Sequence, residues 1–243
     1  MSRSVRERTQ AKRVIAQQKA AERRRRVTLW TTIGVVVVLV AAGLIGWAVV
    51  ANQNAKAVHT PSAAVDGGTA FSVGTGKVVV DLYEDFMCPV CGAFESADGP
   101  AIKQLVAQNK VTVRYHPVAI LDDKSNGTKY STRAAAAAAA AGQDGKFLEF
   151  HDVLYQNQPK ENSDGLTDSK LIELGTSVGL PSSFSTAVTG KTYVNWAGKV
   201  TDTFSSRGFN GTPTVLVAGK QVDNQGGPPT ADQLVSAVTA AAG

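Results

Sequence analysis

The pattern of apolar and polar positions divides the chain into an apolar segment near the N-terminus, a stretch of small residues, and a long alternation of strand and helix patterns. Residues 27–51 contain no charged side chain, and about 20 apolar residues suffice for a helix to cross a bilayer. Trp30 and Trp47 lie near the ends of this segment, where indole rings favour the membrane interface. The pattern therefore predicts a transmembrane helix over residues 27–51.

Beyond that helix, Ala, Gly, Ser and Thr dominate, and residues 52–69 are predicted to form a flexible tether. The ordered domain is predicted to span residues 70–243 and to open with a short edge strand. The β-branched run Val78–Tyr83 is typical of a central strand that is buried on both faces. A helix pattern follows, which Gly99-Pro100 should interrupt, and residues 111–115 predict a second, parallel strand.

A helical segment is predicted from about residue 125 to residue 197. It contains eight consecutive alanines, Ala134–Ala141, which have the highest intrinsic helix propensity and whose amphipathic flanks favour a close-packed helix over a low-complexity segment. The pattern then returns to β, with a strand over Thr214–Val217 and another from Gln221. A capping box that begins at Thr230 predicts a terminal helix. The predicted order is β-α-β, helices, β-β-α.

Charge is unevenly distributed, which changes what the net charge of +5 implies. Residues 1–26 carry ten Lys and Arg against two Glu, and the rest of the chain is slightly acidic. The basic balance therefore belongs to the tail and gives no argument for nucleic-acid binding by the domain. RNA or ribosome binding by the tail is an alternative. No aromatic residue is interleaved with its charges, however, so the tail is predicted to set topology and to touch anionic lipids.

The arginine block at residues 23–26 abuts the apolar segment, so the positive-inside rule places residues 1–26 in the cytoplasm and the domain outside. A cleaved signal peptide is the alternative, with a small-x-small site at Ala55-Lys56-Ala57. The long basic region and an apolar span beyond the usual length of about 7–15 residues favour an uncleaved anchor. The sequence predicts a single-pass cell-membrane protein with a cytoplasmic N-terminus.

The two cysteines of the sequence, Cys88 and Cys91, follow the Val78–Tyr83 run at the start of a predicted helix. A thiolate in the first turn of a helix is stabilised by the helix dipole and by unpaired backbone N–H groups. Two cysteines exclude a disulfide-rich scaffold and a four-thiolate zinc site, and no histidine lies at ligand spacing from them. A bridge between residues three apart closes too short a loop to stabilise a fold. The pair is therefore predicted to be redox-active, with no metal.

The order of these motifs resembles a known family. The motifs are Glu84-Asp85-Phe86 before the first cysteine, Cys88-Pro89-Val90-Cys91, Gly145-Lys146-Phe147 with His151-Asp152, and Gly211-Thr212-Pro213-Thr214. From about residue 67 onward, the chain resembles the DsbA-like group of thioredoxin-fold proteins. It is most similar to the membrane-anchored, extracytoplasmic thiol:disulfide oxidoreductases of Gram-positive bacteria. The resemblance implies an α/β thioredoxin fold with a helical insertion, preceded here by one transmembrane helix.

The resemblance also implies residue roles. Cys88 is the nucleophile and Cys91 the resolving cysteine, while Pro89 and Val90 between them tune the reduction potential. Pro213 is expected to follow a cis peptide bond and Thr212 to offer backbone hydrogen bonds to a substrate strand. An ordinary trans proline at the entry to a strand is the alternative.

Two positions depart from the family pattern. The strongest oxidants of the family carry Pro-His between the cysteines, and Val90 cannot donate a hydrogen bond, so a less oxidising potential is expected. Many relatives have a buried acid six positions before the first cysteine, where this chain has Leu82. Glu84 and Asp85 are candidates for proton transfer in its place, the alternative being solvated loop carboxylates. His116 and His151 are expected to be structural.

The function implied by the resemblance is the introduction of disulfides into exported or unfolded proteins that carry cysteine pairs. No metal or nucleotide cofactor and no nucleic-acid partner are expected. A quinone-linked membrane partner of the DsbB or vitamin-K-epoxide-reductase type would reoxidise the dithiol. One alternative is a reductase or isomerase, for example in cytochrome c maturation, because the same cysteines work in either direction. Another is an anchored peptide-binding or chaperone-like module.

Overall fold

The computed structural model describes residue 19 and residues 22–26, 28–47 and 57–243. The chain divides into two compact units, residues 1–57 and residues 58–243. In the first unit the apolar helix α1, Glu22–Trp47, is long and apolar enough to cross a membrane, and its apolar side chains are exposed. Most of the predicted basic tail and both ends of the predicted transmembrane segment lie outside the described residues.

The second unit is built on a five-stranded sheet with the order β1-β3-β2-β4-β5. The strands are β1 Phe71–Val73, β2 Val78–Glu84, β3 Val111–Pro117, β4 Thr214–Val217 and β5 Lys220–Gln221. Strand β2 is central, parallel to β3 and antiparallel to β4, and β1 pairs antiparallel with β3. The expected edge strand, the parallel pair and a central strand buried on both faces are confirmed.

Helices cover both faces of this sheet. They are α2 Pro89–Ala97, α3 Gly99–Ala107, α4 Tyr130–Gln143, α5 Phe147–Gln156, α6 Asp168–Ser177, α7 Ser182–Thr189, α8 Val194–Ser206 and α9 Ala231–Ala242, with a short 3₁₀ turn at Asp122–Lys124. The predicted interruption falls at Asp98, directly before Gly99-Pro100, which form the first two positions of α3. The last inserted helix runs past the expected end at residue 197, because Trp196, Val200 and Phe204 recur every four residues on one buried face.

The alanine octet forms the centre of the helical insertion. Residues Ala134–Ala141 are all buried within α4, and five of them are completely inaccessible. Helices α5, α7 and α8 pack against α4, and a methyl side chain permits a close approach of helix backbones. The prediction of a close-packed helix is confirmed.

The structure corrects the C-terminal part of the predicted tether. The Ser62 N–H donates to Gln143 Oε1 at 2.7 Å, and the Trp196 indole N–H donates to the Gly68 carbonyl oxygen at 2.6 Å. Asp66 forms an ion pair with Arg114 at 2.7 Å. The small residues here form turns with positive φ, such as Gly68 at φ 80°. Composition alone does not distinguish such ordered turns from a flexible tether. Residues 52–56 lie outside the described part of the chain.

Candidate active site

The turn between β2 and α2 places both cysteines at the carboxyl end of the central strand. Cys88 is the N-cap residue of α2 and is 7% exposed, whereas Cys91, one turn into the helix, is fully buried. Pro89 occupies the first position of the helix, where a backbone N–H would have no intrahelical partner. Both cysteines are free thiols. Cys88 is therefore the more exposed of the two.

The environment of the two sulfur atoms separates their acidities. Hydrogen bonding from the Cys91 thiol, and then from Thr212 and the backbone N–H groups of α2, outweighs burial and lowers the pKa of Cys88 to about 6. Burial in the first place, and then the bond to Cys88 and the charge of Glu84, raises the pKa of Cys91 above its ordinary value. At neutral pH Cys88 is therefore largely a thiolate and Cys91 a thiol.

The loop that precedes β4 forms one wall of the site. The Thr212–Pro213 peptide bond is cis, as the resemblance implied. When Cys88 is protonated, its thiol donates to the Thr212 carbonyl oxygen at 3.3 Å. A groove of about 310 Å³ runs along this loop and is bordered by Val90, which is 47% exposed. An extended segment in the groove would lie against Thr212, whose carbonyl oxygen is 3.3 Å from the Cys88 sulfur.

The helical insertion also contacts the turn that carries Cys88. The side-chain amide of Gln158, in the loop after α5, donates to the carbonyl oxygens of Cys88 at 2.8 Å and Phe86 at 3.2 Å. The Tyr155 hydroxyl makes a longer contact of 3.4 Å with the carbonyl oxygen of Asp85. Gln158 carried no signal in the sequence, because nothing in a polar loop 70 residues downstream marks a contact with the cysteine motif.

Beneath the cysteines lies a cluster of Glu84, Glu95 and His151, whose ligand-type atoms all lie within 4.8 Å of one another. Glu84 Oε2 is 2.9 Å from His151 Nε2, and both side chains are almost inaccessible. Among the described residues, Glu84 Oε1 and Glu95 Oε1 are buried with no hydrogen-bond donor. Glu95 follows Cys91 by four residues in α2, so the two share a helix face. That spacing was the available sequence signal for Glu95.

The cluster holds protons. Burial alone would lower the pKa of His151, but its hydrogen bonds with Asp152 and Glu84, together with the nearby carboxylate charges, raise it to about 10. Burial, followed by the charge of Glu84, raises the pKa of Glu95 to about 8; burial likewise raises the pKa of Glu84. One imidazolium balances one carboxylate, so the second carboxyl keeps its proton at neutral pH. Both ring nitrogens of His151 face carboxylates, Nε2 that of Glu84 and Nδ1 that of Asp152.

Glu84 and Asp85 are both buried, so the alternative that they are solvated loop carboxylates is wrong. Asp85 Oδ1 accepts from the Met87 N–H at 2.8 Å and the Ser131 hydroxyl at 2.7 Å, and Oδ2 accepts from the Leu121 N–H at 3.0 Å. Three donors therefore tie Asp85 to the structure of the turn. Burial nonetheless raises its pKa to about 6.

The position of Leu82 explains why Glu84 is the better placed of the two acids. Leu82 is completely buried in β2, and residues two apart on a strand point to the same face of the sheet. Glu84 therefore projects from the same face of the sheet as Leu82, two residues closer to the carboxyl end of β2. His116 lies elsewhere in the sheet, where its Nε2 is 3.1 Å from Asp81 Oδ1, in a network with Arg114.

The sequence of this chain is similar to a protein family and to part of a known kinase. A family model described as Thioredoxin matches residues 74–240. The serine/threonine-protein kinase PknE of Mycobacterium tuberculosis is 31% identical over 161 residues, which make up 63% of this chain and 28% of the kinase. The chain thus spans about 28% of the length of the curated relatives that it matches.

Solved structures match over a larger share of their length. The reduced disulfide bond oxidoreductase DsbG of M. tuberculosis superposes with a TM-score of 0.63 at 32% identity, covering 72% of this chain and 88% of that one. Oxidised DsbA of the same organism gives a TM-score of 0.63 at 32% identity, with coverages of 72% and 93%. The thiol-disulfide oxidoreductase MdbA of Actinomyces oris shares the fold, with a TM-score of 0.61, 24% identity and coverages of 74% and 92%.

Proposed function

This chain belongs to the thioredoxin family, and we propose that it is a DsbA-type thiol:disulfide oxidoreductase that oxidises cysteine pairs in exported proteins. The observation that carries the proposal is the asymmetry of the pair: Cys88, which keeps a small exposed fraction, has a pKa of about 6, whereas Cys91 is completely buried and has a raised pKa. Both lie against the cis Thr212–Pro213 turn. A structural disulfide would need none of these features.

The reaction follows from thiol–disulfide exchange. A substrate thiolate attacks the Cys88 sulfur of the enzyme disulfide; a bond forms between the two sulfurs, and Cys91 leaves with the electron pair. A second substrate thiolate then attacks the substrate sulfur of this mixed disulfide, and Cys88 leaves as a thiolate. Two electrons have passed to the enzyme, whose dithiol a membrane oxidant of the quinone-linked DsbB or vitamin-K-epoxide-reductase type would reoxidise.

The oxidising direction is supported by the low pKa of Cys88. A stabilised thiolate is a good leaving group in the second step, and it favours the reduced enzyme, which makes the disulfide a stronger oxidant. Val90 offers no side-chain donor to that thiolate, so the potential should be less oxidising than that of a relative with histidine at this position. Pro89 and Val90 are thus the tuning residues of the proposal.

Proton transfer is assigned to Glu84 rather than Asp85. Cys91 leaves as a thiolate in a fully buried position and must gain a proton, because an unpaired buried charge is costly. The carboxyl pair of Glu84 and Glu95 holds one, and Glu95 borders a surface pocket of about 280 Å³ together with Lys103 and Asp152. The proton can therefore be replaced from solvent. The Asp85 carboxylate is fully engaged by three donors.

Substrate binding is assigned to the groove along Thr212 and Pro213. Backbone groups of the turn would pair with an extended segment of an unfolded chain, and Val90 at the rim offers apolar contact. We further propose that α1 anchors the protein in the cell membrane with residues 1–26 in the cytoplasm and the domain outside. Disulfides persist in that compartment.

Trapping tests the reaction in the full-length protein. In the Cys91→Ser variant the mixed disulfide cannot be resolved by the enzyme, so complexes through Cys88 should accumulate and disappear on reduction. Cys88→Ser is the matched control and should trap nothing. The in-cell redox state then fixes direction: an oxidase rests with Cys88 and Cys91 joined, whereas a reductase or isomerase rests as the dithiol. An absence of trapped complexes would refute the nucleophile assignment.

A second candidate function is a binding module in which turnover is incidental. It is favoured by one observation: the kinase PknE carries a similar sequence as 28% of its length, so the fold also occurs within proteins named for another activity. The double variant Cys88→Ser, Cys91→Ser separates the two candidates. A module that only binds would retain its cellular role in this variant, and an oxidoreductase would lose it.

A further inference from the structure

We propose that Gln158 is a positioning residue that braces the redox-active turn against the helical insertion and supports the Cys88 thiolate. The inference rests on the proposed function, because it concerns the same cysteine. It assigns a role to a residue outside the cysteine motif, the cis-proline turn and the buried acids.

The first observation is the geometry of the side-chain amide. Its nitrogen lies 2.8 Å from the Cys88 carbonyl oxygen and 3.2 Å from the Phe86 carbonyl oxygen. Carbonyl oxygens can only accept, so the nitrogen end of the amide must face them, and both of its N–H groups are used. Gln158 therefore bridges the two ends of the turn that carries the nucleophile. The Cys88 carbonyl oxygen otherwise accepts from the Gly92 N–H at 3.2 Å.

The second observation comes from α2. A Cβ added at Gly92 would overlap the side-chain amide of Gln158. Glycine within a helix is less favourable than alanine, because it loses more conformational freedom on folding. The absent side chain at Gly92 therefore leaves the space that Gln158 occupies. Gly92 in α2 and Gln158 in the loop after α5, which are 66 positions apart in the sequence, therefore pack against each other.

The third step is electrostatic. The carbonyl oxygens of Phe86 and Cys88 carry partial negative charge within the turn that bears the Cys88 side chain, and the two N–H groups of Gln158 offset it. Without them, the turn becomes less favourable for a thiolate, so the pKa of Cys88 rises and the reduced enzyme loses stability relative to the disulfide. Gln158 thus acts on the potential through the backbone, without touching the sulfur.

Redox equilibration of the full-length protein with glutathione tests this role. Gln158→Ala and Gln158→Glu should each lower the equilibrium constant for enzyme reduction by about three- to tenfold, the effect expected of a lost hydrogen-bonding group. The pKa of Cys88, followed by thiolate absorbance, should rise in both. Asn162→Asp, the same amide-to-acid change in the same loop, is the matched control and should leave both quantities near wild type. Values for the Gln158 variants that match this control would overturn the proposal.

A double-mutant cycle tests the contact itself. Gly92→Ala should displace the amide of Gln158 and lower both the equilibrium constant and Tm. In a Gln158→Ala background the same change should raise Tm, because alanine is then the better helix residue. Gly198→Ala is the control, since a Cβ added there would meet no described atom within 4 Å apart from its chain neighbours and the backbone of its own helix, and it should raise Tm in both backgrounds. If Gly92→Ala changes Tm in the same direction in both backgrounds, the proposed contact between Gln158 and the redox-active turn is wrong. Neither readout depends on the substrate or the direction of turnover, so failure here leaves the proposed function standing.

Discussion

Replacing Cys91 should change the acidity of Cys88 by an amount that the structure allows us to work out. The pKa of Cys88 lies near 6, against an ordinary value of 9.0, a difference that corresponds to about 4 kcal/mol in favour of the thiolate. Hydrogen bonding from the Cys91 thiol is the largest cause. Hydrogen bonds to charged groups contribute about 1.5–3 kcal/mol. In the Cys91→Ala variant the pKa of Cys88 should therefore rise from about 6 to about 7–8.

The assay is a titration of thiolate absorbance, checked by the pH dependence of alkylation with iodoacetamide. Cys91→Ser is the matched comparison, because its hydroxyl keeps a donor of similar size at the same position. The serine variant should therefore retain a pKa for Cys88 closer to wild type than the alanine variant does. Alkylation at pH 7 should be slower in the alanine variant, in proportion to the smaller thiolate fraction.

Equal pKa values for Cys88 in the wild type, the serine variant and the alanine variant would refute this reasoning. The thiolate would then depend on the backbone N–H groups of α2 and on Thr212, with no share for the neighbouring thiol. A rise of equal size in both variants would also contradict it, because the serine hydroxyl would not be acting as the donor.

Three further predictions concern the buried acids and the motif. Glu95→Gln replaces a carboxyl whose pKa is raised from 4.5 to about 8 with a side chain that is always neutral. In the wild type, the protonated Glu95 carboxyl contributes its full stabilisation of the fold below pH 4.5, and this contribution is lost as the pH rises to 8. Between pH 4.5 and pH 8, the free energy of unfolding, measured by urea titration, should therefore fall less steeply in the variant than in the wild type. The two slopes should differ by about 1.4 kcal/mol per pH unit, and parallel plots of this free energy against pH would exclude the raised pKa. Val90→His should give a more oxidising potential against glutathione, and an unchanged or lower one would refute the tuning role. Asp85→Asn places an amide among three donors and should cost about 1–3 kcal/mol in stability. Its Cys88 alkylation rate should stay unchanged, and a slower rate at wild-type stability would instead point to proton transfer.

The fold was predictable where local signals were strong. The β-branched run of β2 and the capping box at Thr230 each act over a few residues, and both form as expected. The order of strands and helices followed from these signals, and parallel pairing of β2 with β3 followed from the helices between them. The cis peptide bond before Pro213 came from family resemblance, because no local pattern distinguishes it from a trans bond.

The candidate site was predictable in its cysteines and only partly in its surroundings. Glu84 was named from its place before the motif, but its partner His151 reaches it from a helix 67 residues away, and that contact depends on tertiary packing. Glu95 carried a usable signal, because it stands one helical turn after Cys91. The ordered turn at Gly68 was misjudged, since glycine-rich composition describes both flexible tethers and tight turns.

The alanine helix of the insertion has a consequence for its dynamics. An alanine side chain has no rotamers, so burying Ala134–Ala141 loses no side-chain conformational entropy on folding. Once folded, Ala134–Ala141 have no side-chain torsions through which this face of α4 could rearrange locally, and close packing resists compression. The centre of the insertion should therefore move as one body, and the support that Gln158 receives from this side of the molecule is correspondingly stiff.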